Sequence, residues 1–311
     1  MSTQQLSFAT LDVFTSTKYT GNPLAIVNVP QSTVLSQDQK QRIAREFNLS
    51  ETVFLHQQTE QDLKDDSVRI DIFTAYAEIP FAGHPTVGTA NYLLQFPNHS
   101  SSRHVKALQA KAGRIGVILN SAIDGVQISV AHHVHVHNSP FADKPFGKYP
   151  VVSIVEGMTF ILALLPDLET LGQQWQNLLG AENTYTSQDA LDEGWRVGMV
   201  PTYFYVDTGT TTDISGATVR TLRTRNFGSR EDPATGSAAS ALTSYLSLMK
   251  RKAGTYKYQL TQGVEMGQRS EIFVEVSVKD RQGGDEVEIE QVLLSGCAVL
   301  VMQGTLDVPP P

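Results

Sequence analysis

Cysteine is almost absent: Cys297 is the single one among 311 residues. No disulfide can form within the chain, so a reducing compartment, the cytoplasm, is the expected location. Chemistry that needs two opposed thiols from one chain is excluded outright. A basic excess is also missing. The formal net charge is −8, with no long Lys/Arg run, which argues against a general nucleic-acid or anionic-membrane binder. Apolar runs are short. The longest candidate, around Phe160 to Leu165, falls far below a bilayer span. Met1 to Ser7 is polar and lacks the charged-then-apolar pattern of a secretory signal. What remains, 41% hydrophobic and 18% charged, is ordinary globular composition at a length that suits two domains of about 150 residues.

The most informative stretch is Glu231-Asp232-Pro233-Ala234-Thr235-Gly236-Ser237, a tight acidic loop that feeds a small-residue helix. Gly236 allows close backbone approach. The first N–H groups of such a helix lack internal partners and suit an anion such as a carboxylate. The device occurs twice. A shift of 153 positions lays Glu78 on Glu231, Pro80 on Pro233, Gly83 on Gly236, and Tyr92-Leu93 on Tyr245-Leu246. The spacing is too long for a solenoid repeat and points to a duplicated domain.

In order, strand-forming runs are expected at Phe8–Phe14, Leu24–Val29, Glu51–His56 and Val68–Phe73. A helix capped by Ser36 runs to Phe47 and is broken by Asn48-Leu49-Ser50. A second helix follows Gly83 to about Gln95. More strands lead to Asn138–Pro150, whose Pro, Lys and polar content reads as a linker, with the crossover placed ten to twenty residues earlier. The second half repeats this grammar, with helices at Leu168–Leu179 and from Gly236 to about Met249. Many strands around one long helix per half is not the alternation of a doubly wound sheet. It predicts an α+β fold of two pseudo-symmetric domains, each a rolled, mostly antiparallel sheet around a central helix. The expected division is 1–124, holding Glu51 and the Gly83-His84 loop, and 125–311, holding the Asp232–Ser237 loop, with the last strand able to return to the first half. A ligand cleft between the halves follows from this arrangement.

Several motifs together carry a family resemblance over nearly the whole chain: Asp12-Val13-Phe14 with Gly21-Asn22-Pro23-Leu24, Asn48-Leu49-Ser50-Glu51-Thr52, Phe73-Thr74, Ala82-Gly83-His84-Pro85-Thr86, Glu231 to Ser237, Gln262-Gly263 with Met266-Gly267, and Gly296. The chain resembles the PhzF-like isomerases of phenazine biosynthesis, relatives of the diaminopimelate epimerases. The resemblance implies the diaminopimelate epimerase-like fold, cofactor-free proton transfer, a small carboxylate-bearing substrate and a homodimer. It places Glu51 as general acid/base, with His84 and Asp232 in the catalytic group. It assigns substrate binding to Gly83, Thr235, Gly236 and Ser237, with no metal and no cofactor. The cysteine positions of the related epimerases hold Ala82 and Thr235, so the two-thiol mechanism does not apply.

The residue types fit that chemistry. A carboxylate in a closed apolar site can take a proton and return it, and Phe47, Leu49 and Phe54 lie close to Glu51 in sequence. Read alone, Glu51 is equally a solvated strand end. His84 and Asp232 are equally helix caps, as is Ser237, and Glu78 and Glu231 read as loop braces. His132 to His137 alternates histidine on one strand face at His133, His135 and His137. Three histidines can hold zinc, yet same-face neighbours sit about 7 Å apart, and an exposed polar face is expected instead. The connection Phe227-Gly228-Ser229-Arg230 is terser than the family pattern, which leaves substrate identity open. Two readings therefore stand beside the isomerase: a small-molecule binder that has lost catalysis, and a cyclase or lyase on the same scaffold.

Overall fold

The computed structural model describes residues 4–96, 102, 104–143, 147–184, 191–281 and 286–310. The chain divides into two compact units, Met1–Ser129 with Ser295–Pro311, and Val130–Leu294. The boundary thus falls at 129/130, against the 124/125 expected, and the residues from 295 on belong to the first unit.

The first unit contains β1 (Gln5–Val13), β2 (Asn22–Val29), α1 (Gln37–Phe47), β3 (Glu51–His56), α2 (Glu60–Lys64), β4 (Ser67–Phe73), β5 (Glu78–Ile79), α3 (Gly83–Gln95), β6 (Ala107–Ala110), β7 (Gly113–Asn120), β8 (Gly125–Ser129) and, from the end of the chain, β20 (Ala298–Asp307). Helix α1 starts where the sequence places it: Ser36 and Gln39 form a reciprocal capping box, and Asn48 ends the helix in the left-handed region. Strand β1 pairs antiparallel with β2 and β20, β2 parallel with β3 across α1, and β3 antiparallel with β4. Strand β4 then pairs with β5 and, across α3, parallel with β6.

The second unit contains β9 (His135–Val136), β10 (Phe141–Asp143), β11 (Gly147–Tyr149), β12 (Val151–Val155), β13 (Met158–Leu164), α4 (Leu168–Gly172), β14 (Thr202–Thr212), β15 (Thr218–Phe227), β16 (Glu231–Asp232), α5 (Gly236–Leu248), β17 (Gly254–Gln262) and β18 (Ser270–Asp280), followed by β19 (Val287–Gly296). Its pairings repeat those of the first unit in order and sense: β12/β13 antiparallel, β13/β14 parallel, β14/β15 antiparallel, β15 with β16, β15/β17 parallel and β17/β18 antiparallel.

The correspondence reaches individual side chains. Thr52 faces Phe73 across β3/β4, and Thr202 faces Phe227 across β14/β15. Two residues on, Phe54 and Phe204 make edge-to-face contacts with those phenylalanines at 5.4 and 5.9 Å. The duplication read from the loops therefore extends through the core.

Each repeat is built around its long helix. All residues from Gly83 to Leu93 of α3 are buried, as are those of α5 up to Ser247 except Tyr245. Helices enclosed on all sides need no polar stripe. Their Ser, Thr and Asn side chains bond back one turn instead, as Thr86 to Ala82 O, Thr89 to Pro85 O and Asn91 to Val87 O in α3, and Ser240 to Gly236 O and Ser247 to Thr243 O in α5.

Two expectations need correction. The helix read at Leu168–Leu179 stops at Gly172. Past that point the backbone turns so that the carbonyls of Leu171, Gly172 and Gln174 all reach the Arg225 guanidinium, at 2.6 to 3.1 Å, with Leu171 O also accepting from Gln174 N in a tight turn. Buried Asn177 then fixes the chain beyond through bonds with Leu179 N, Thr184, Val200 O and Thr202. The stretch read as a linker is a hairpin, β10 against β11, inside the second unit.

In the first unit, Phe14 is wholly buried with φ +63° and its ring lies against Gly296, where a β-carbon would overlap it. Asn91 Nδ2 bonds the Gly296 carbonyl at 3.1 Å, so the backbone there has little room to retreat. Gly296→Ala should destabilise by about 1–3 kcal/mol, read from urea unfolding, and an unchanged midpoint would contradict this packing. A pH dependence follows from Asp71. Burial pushes its carboxyl up, but bonds from His56 and Lys40, both at 2.7 Å, more than offset this and hold it at about 2, against an ordinary 3.8. A depressed carboxylate stabilises above its unfolded value, and that contribution disappears as pH falls through the folded one. Between pH 5 and 2 the wild type should lose about 2 kcal/mol more than Asp71→Asn, measured by denaturant melts across pH. Parallel curves would rule this out.

Candidate active site

The expected site residues form two groups, one in each unit. In the first, β3 begins with Glu51 beside Leu24 of β2, and α3 begins with Gly83 and His84. Glu51 Oε2 lies 2.8 Å from His84 Nδ1, and His84 Nε2 lies 3.0 Å from the carbonyl oxygen of Asn22 at the start of β2. His84 is 3% exposed. A carbonyl only accepts, so Nε2 carries a hydrogen. A carboxylate and an imidazole nitrogen at hydrogen-bond distance hold one proton between them. With that proton on His84, Glu51 is a carboxylate able to accept another. With it on Glu51, the group is an acid able to give it up. The Asn22 contact thus fixes the imidazole's orientation and leaves Nδ1 for Glu51.

The second unit answers with a different set. Strand β16 holds Asp232, and α5 follows from Thr235. Thr235 Oγ1 donates to Asp232 Oδ2 at 2.5 Å. Gln262, wholly buried at the end of β17, clamps the loop from beneath. Its amide nitrogen donates to the Asp232 carbonyl at 2.7 Å and to Thr235 Oγ1 at 3.2 Å, and its oxygen accepts from Thr235 N at 3.2 Å. The Tyr203 hydroxyl donates to the same oxygen at 3.0 Å. Burial pushes the Tyr203 phenol well up, so it remains a neutral donor. Ser237, the second residue of α5, is buried.

Glu231 is held outside this set. Arg225 Nε and Nη2 grip its two carboxylate oxygens at 2.7 and 2.8 Å, a bidentate buried pair. The first-unit counterpart, Glu78, bonds Lys111 at 3.0 Å. Both act as braces for their loops.

Neither long helix is capped by a side chain at its N-cap, Ala82 or Thr235. The opening amides, at Gly83 and His84 in one unit and at Gly236 and Ser237 in the other, are therefore not engaged by the cap residue. The helix dipole and these donors favour an anion at each end.

Superposing the repeats in sequence sets Thr52 on Thr202, so Glu51 corresponds to Pro201 and His84 to Ser237. One copy supplies an acid–imidazole pair and the other a hydroxyl and a carboxylate. Asn22, Gln262 and Tyr203 were not expected as site residues. Gln262 had a signal in its Gln-Gly motif. Asn22 had one in the Gly21-Asn22-Pro23-Leu24 motif, although its contact is made by backbone, and Tyr203, one strand tyrosine among several, carried none.

The clamp is testable. Gln262→Leu removes the bonds that Gln262 makes to Thr235 N, Thr235 Oγ1 and the Asp232 carbonyl and should cost about 1–3 kcal/mol, read from thermal and urea unfolding. A variant as stable as wild type would remove the clamp from this description.

A family model described as phenazine biosynthesis-like protein, PhzC-PhzF, matches residues 11–304. An uncharacterised isomerase of Mesorhizobium japonicum is 30% identical over 98% of this chain and 100% of its own length. The trans-2,3-dihydro-3-hydroxyanthranilate isomerase of Pseudomonas aeruginosa is 26% identical over 94% of this chain and 96% of its own. Among solved structures, a PhzF-family protein of Bacillus anthracis matches with a TM-score of 0.70 at 20% identity, over 97% of this chain and 99% of its own. A probable proline racemase of Agrobacterium radiobacter matches at 0.60 with 13% identity, over 98% of this chain and 94% of its own, a likeness of fold.

Proposed function

Because the chain belongs to the phenazine biosynthesis-like PhzC-PhzF family and is an isomerase, we propose that it moves a proton between carbons of a small carboxylate-bearing metabolite, with Glu51 as the general acid/base. The observation that carries this reading is the 2.8 Å contact between Glu51 and a histidine whose other nitrogen faces a carbonyl.

In the ionised form Glu51 removes a proton from a substrate carbon, and the electron pair of the broken C–H bond moves into the substrate's conjugated system. The same group then delivers the proton to a second carbon, where a new C–H bond forms. Nothing is oxidised or reduced and no co-reactant is consumed. His84 serves as the store that lets Glu51 begin as base or as acid. Negative charge that develops near the substrate carboxylate is the kind a helix N-terminus stabilises, which is the role given to the amides of Gly83 and Gly236. Asp232, Thr235 and Ser237 supply polar contacts to the substrate. This chemistry uses side chains and backbone of the chain itself, without a cofactor. The cytoplasm and a homodimer complete the reading.

The dihydro-hydroxyanthranilate named for the Pseudomonas relative heads the substrate candidates, followed by other cyclic and amino-acid carboxylates. Incubated in D₂O, the wild-type protein should place deuterium at a substrate carbon, followed by NMR. Glu51→Gln should fold with an unchanged circular dichroism spectrum and lose exchange by about 10²-fold or more. Exchange that persists in Glu51→Gln would overturn the assignment of Glu51.

A further inference from the structure

The histidine run is not the exposed polar face that its alternation suggests. His137 is buried, His135 is half-buried, and only His133 of the three is exposed. Trp195 covers them, stacked on His135 at 4.5 Å and 9°, with His133 at 5.1 Å from the same indole. The rings of His135 and His137 lie 4.7 Å apart, closer than strand spacing alone gives. A third group arrives from far along the sequence. Asp192 Oδ2 lies 2.8 Å from His135 Nε2 and 3.9 Å from His137 Nδ1. One ligand atom from each of the three residues falls within 4.8 Å of the others.

We propose that His135, His137 and Asp192 form a binding site for a divalent transition-metal ion of the zinc class, held by two imidazoles and one carboxylate. In a tetrahedral zinc site, bonds of about 2.0–2.1 Å put neighbouring ligand atoms about 3.3 Å apart. The separations from Asp192, 2.8 and 3.9 Å, bracket that value. An ion entering here replaces the proton on His135 Nε2 and the hydrogen bond that Asp192 N gives His137 Nδ1 at 3.1 Å.

The outer partners suit the assignment. Asp192 N donates to His137 Nδ1, so the ring's proton sits on Nε2 and points at Ser153 Oγ, 2.9 Å away. Ser153 is bonded in turn to Thr159 Oγ1 at 2.6 Å. A ligating histidine ordinarily gives its second N–H to such a partner, and the Nδ1 lone pair, taken here by Asp192 N–H, lies 3.9 Å from Asp192 Oδ2. Asn138 holds the carboxylate through its backbone N–H at 3.2 Å and its side-chain amide at 3.1 Å. Two imidazoles and a carboxylate select zinc, cobalt or nickel over the all-oxygen preferences of calcium and magnesium. The site shares no residue with the groups assigned to proton transfer, and it ties the loop carrying Asp192 and Trp195 to the strand carrying the histidines.

The chain has two tryptophans, Trp175 and Trp195, so Trp175→Phe leaves the stacked indole as the only one. Titrated with Co²⁺ or Ni²⁺, this protein should show saturable quenching of Trp195, visible Co²⁺ absorption of a low-coordinate site, and a raised melting temperature. His135→Gln and Asp192→Asn should each weaken binding by about tenfold or more, and Ser153→Ala by a smaller factor of the same kind. His132→Asn with His133→Asn should leave binding intact. Absence of saturable binding, survival of full affinity in His135→Gln or Asp192→Asn, or loss in the His132/His133 pair would each overturn the site. The last of these would identify an adventitious surface chelate.

Discussion

The contact between Glu51 and His84 is the one on which the proposed proton transfer depends. It exists because three elements of the first unit meet. Strand β2 starts at Asn22 and offers a carbonyl, β3 lies parallel beside it and starts with Glu51, and α3 starts with Gly83 and His84. The parallel β2/β3 pairing requires a crossover, which α1 provides, and the parallel β4/β6 pairing requires another, which is α3 itself. A helix that serves as crossover and is buried along its length places its N-terminus at a fixed height beside the strand ends. The imidazole is therefore oriented by backbone as well as by side chains, and the proton between Nδ1 and Glu51 has a defined address.

Duplication explains the frame and divergence explains the chemistry. Both units keep the strand order, the Thr–Phe pair and the second phenylalanine packed edge-on. They differ at the positions proposed for proton transfer. The position of Glu51 holds Pro201, and that of His84 holds Ser237. Two residues before the conserved phenylalanines, Asp71 in one repeat binds Lys40 and His56, while Arg225 in the other grips Glu231 and three carbonyls. Each repeat has a largely enclosed charge at this point, of opposite sign, and each is held by groups of the other sign, which is what a low-dielectric interior demands. Sharing a scaffold has not meant sharing an electrostatic plan.

Much of this was legible in the sequence where the signal is local. The Ser36 cap, the break at Asn48, both long helices and both acidic loops carry their own chemistry and fall where their residues put them. The α+β character followed from counting strands against helices. What escaped depends on partners distant in sequence. Leu168–Leu179 reads as a helix, yet the chain turns after Gly172 and seats three carbonyls on Arg225, more than fifty positions on. Asn138–Pro150 reads as a linker because turn and hairpin residues look alike. The histidine run reads as solvent-facing because neither Trp195 nor Asp192 is near it in sequence. Glu51 and His84 were each readable as candidates, but their 2.8 Å contact was not, since nothing local couples a strand start to a helix start 33 positions later.

The central physical claim is that one proton resides between Glu51 and His84 while Nε2 stays protonated toward Asn22. Nitrogen-15 NMR of the histidine side chains reads this directly. The His84 imidazole should show an Nε2–H that persists across the pH range of folding, together with a strongly deshielded hydrogen-bonded proton at Nδ1 that is lost in Glu51→Gln. A neutral His84 with its hydrogen on Nδ1 and a bare Nε2, or an Nδ1 signal unchanged by Glu51→Gln, would contradict the account.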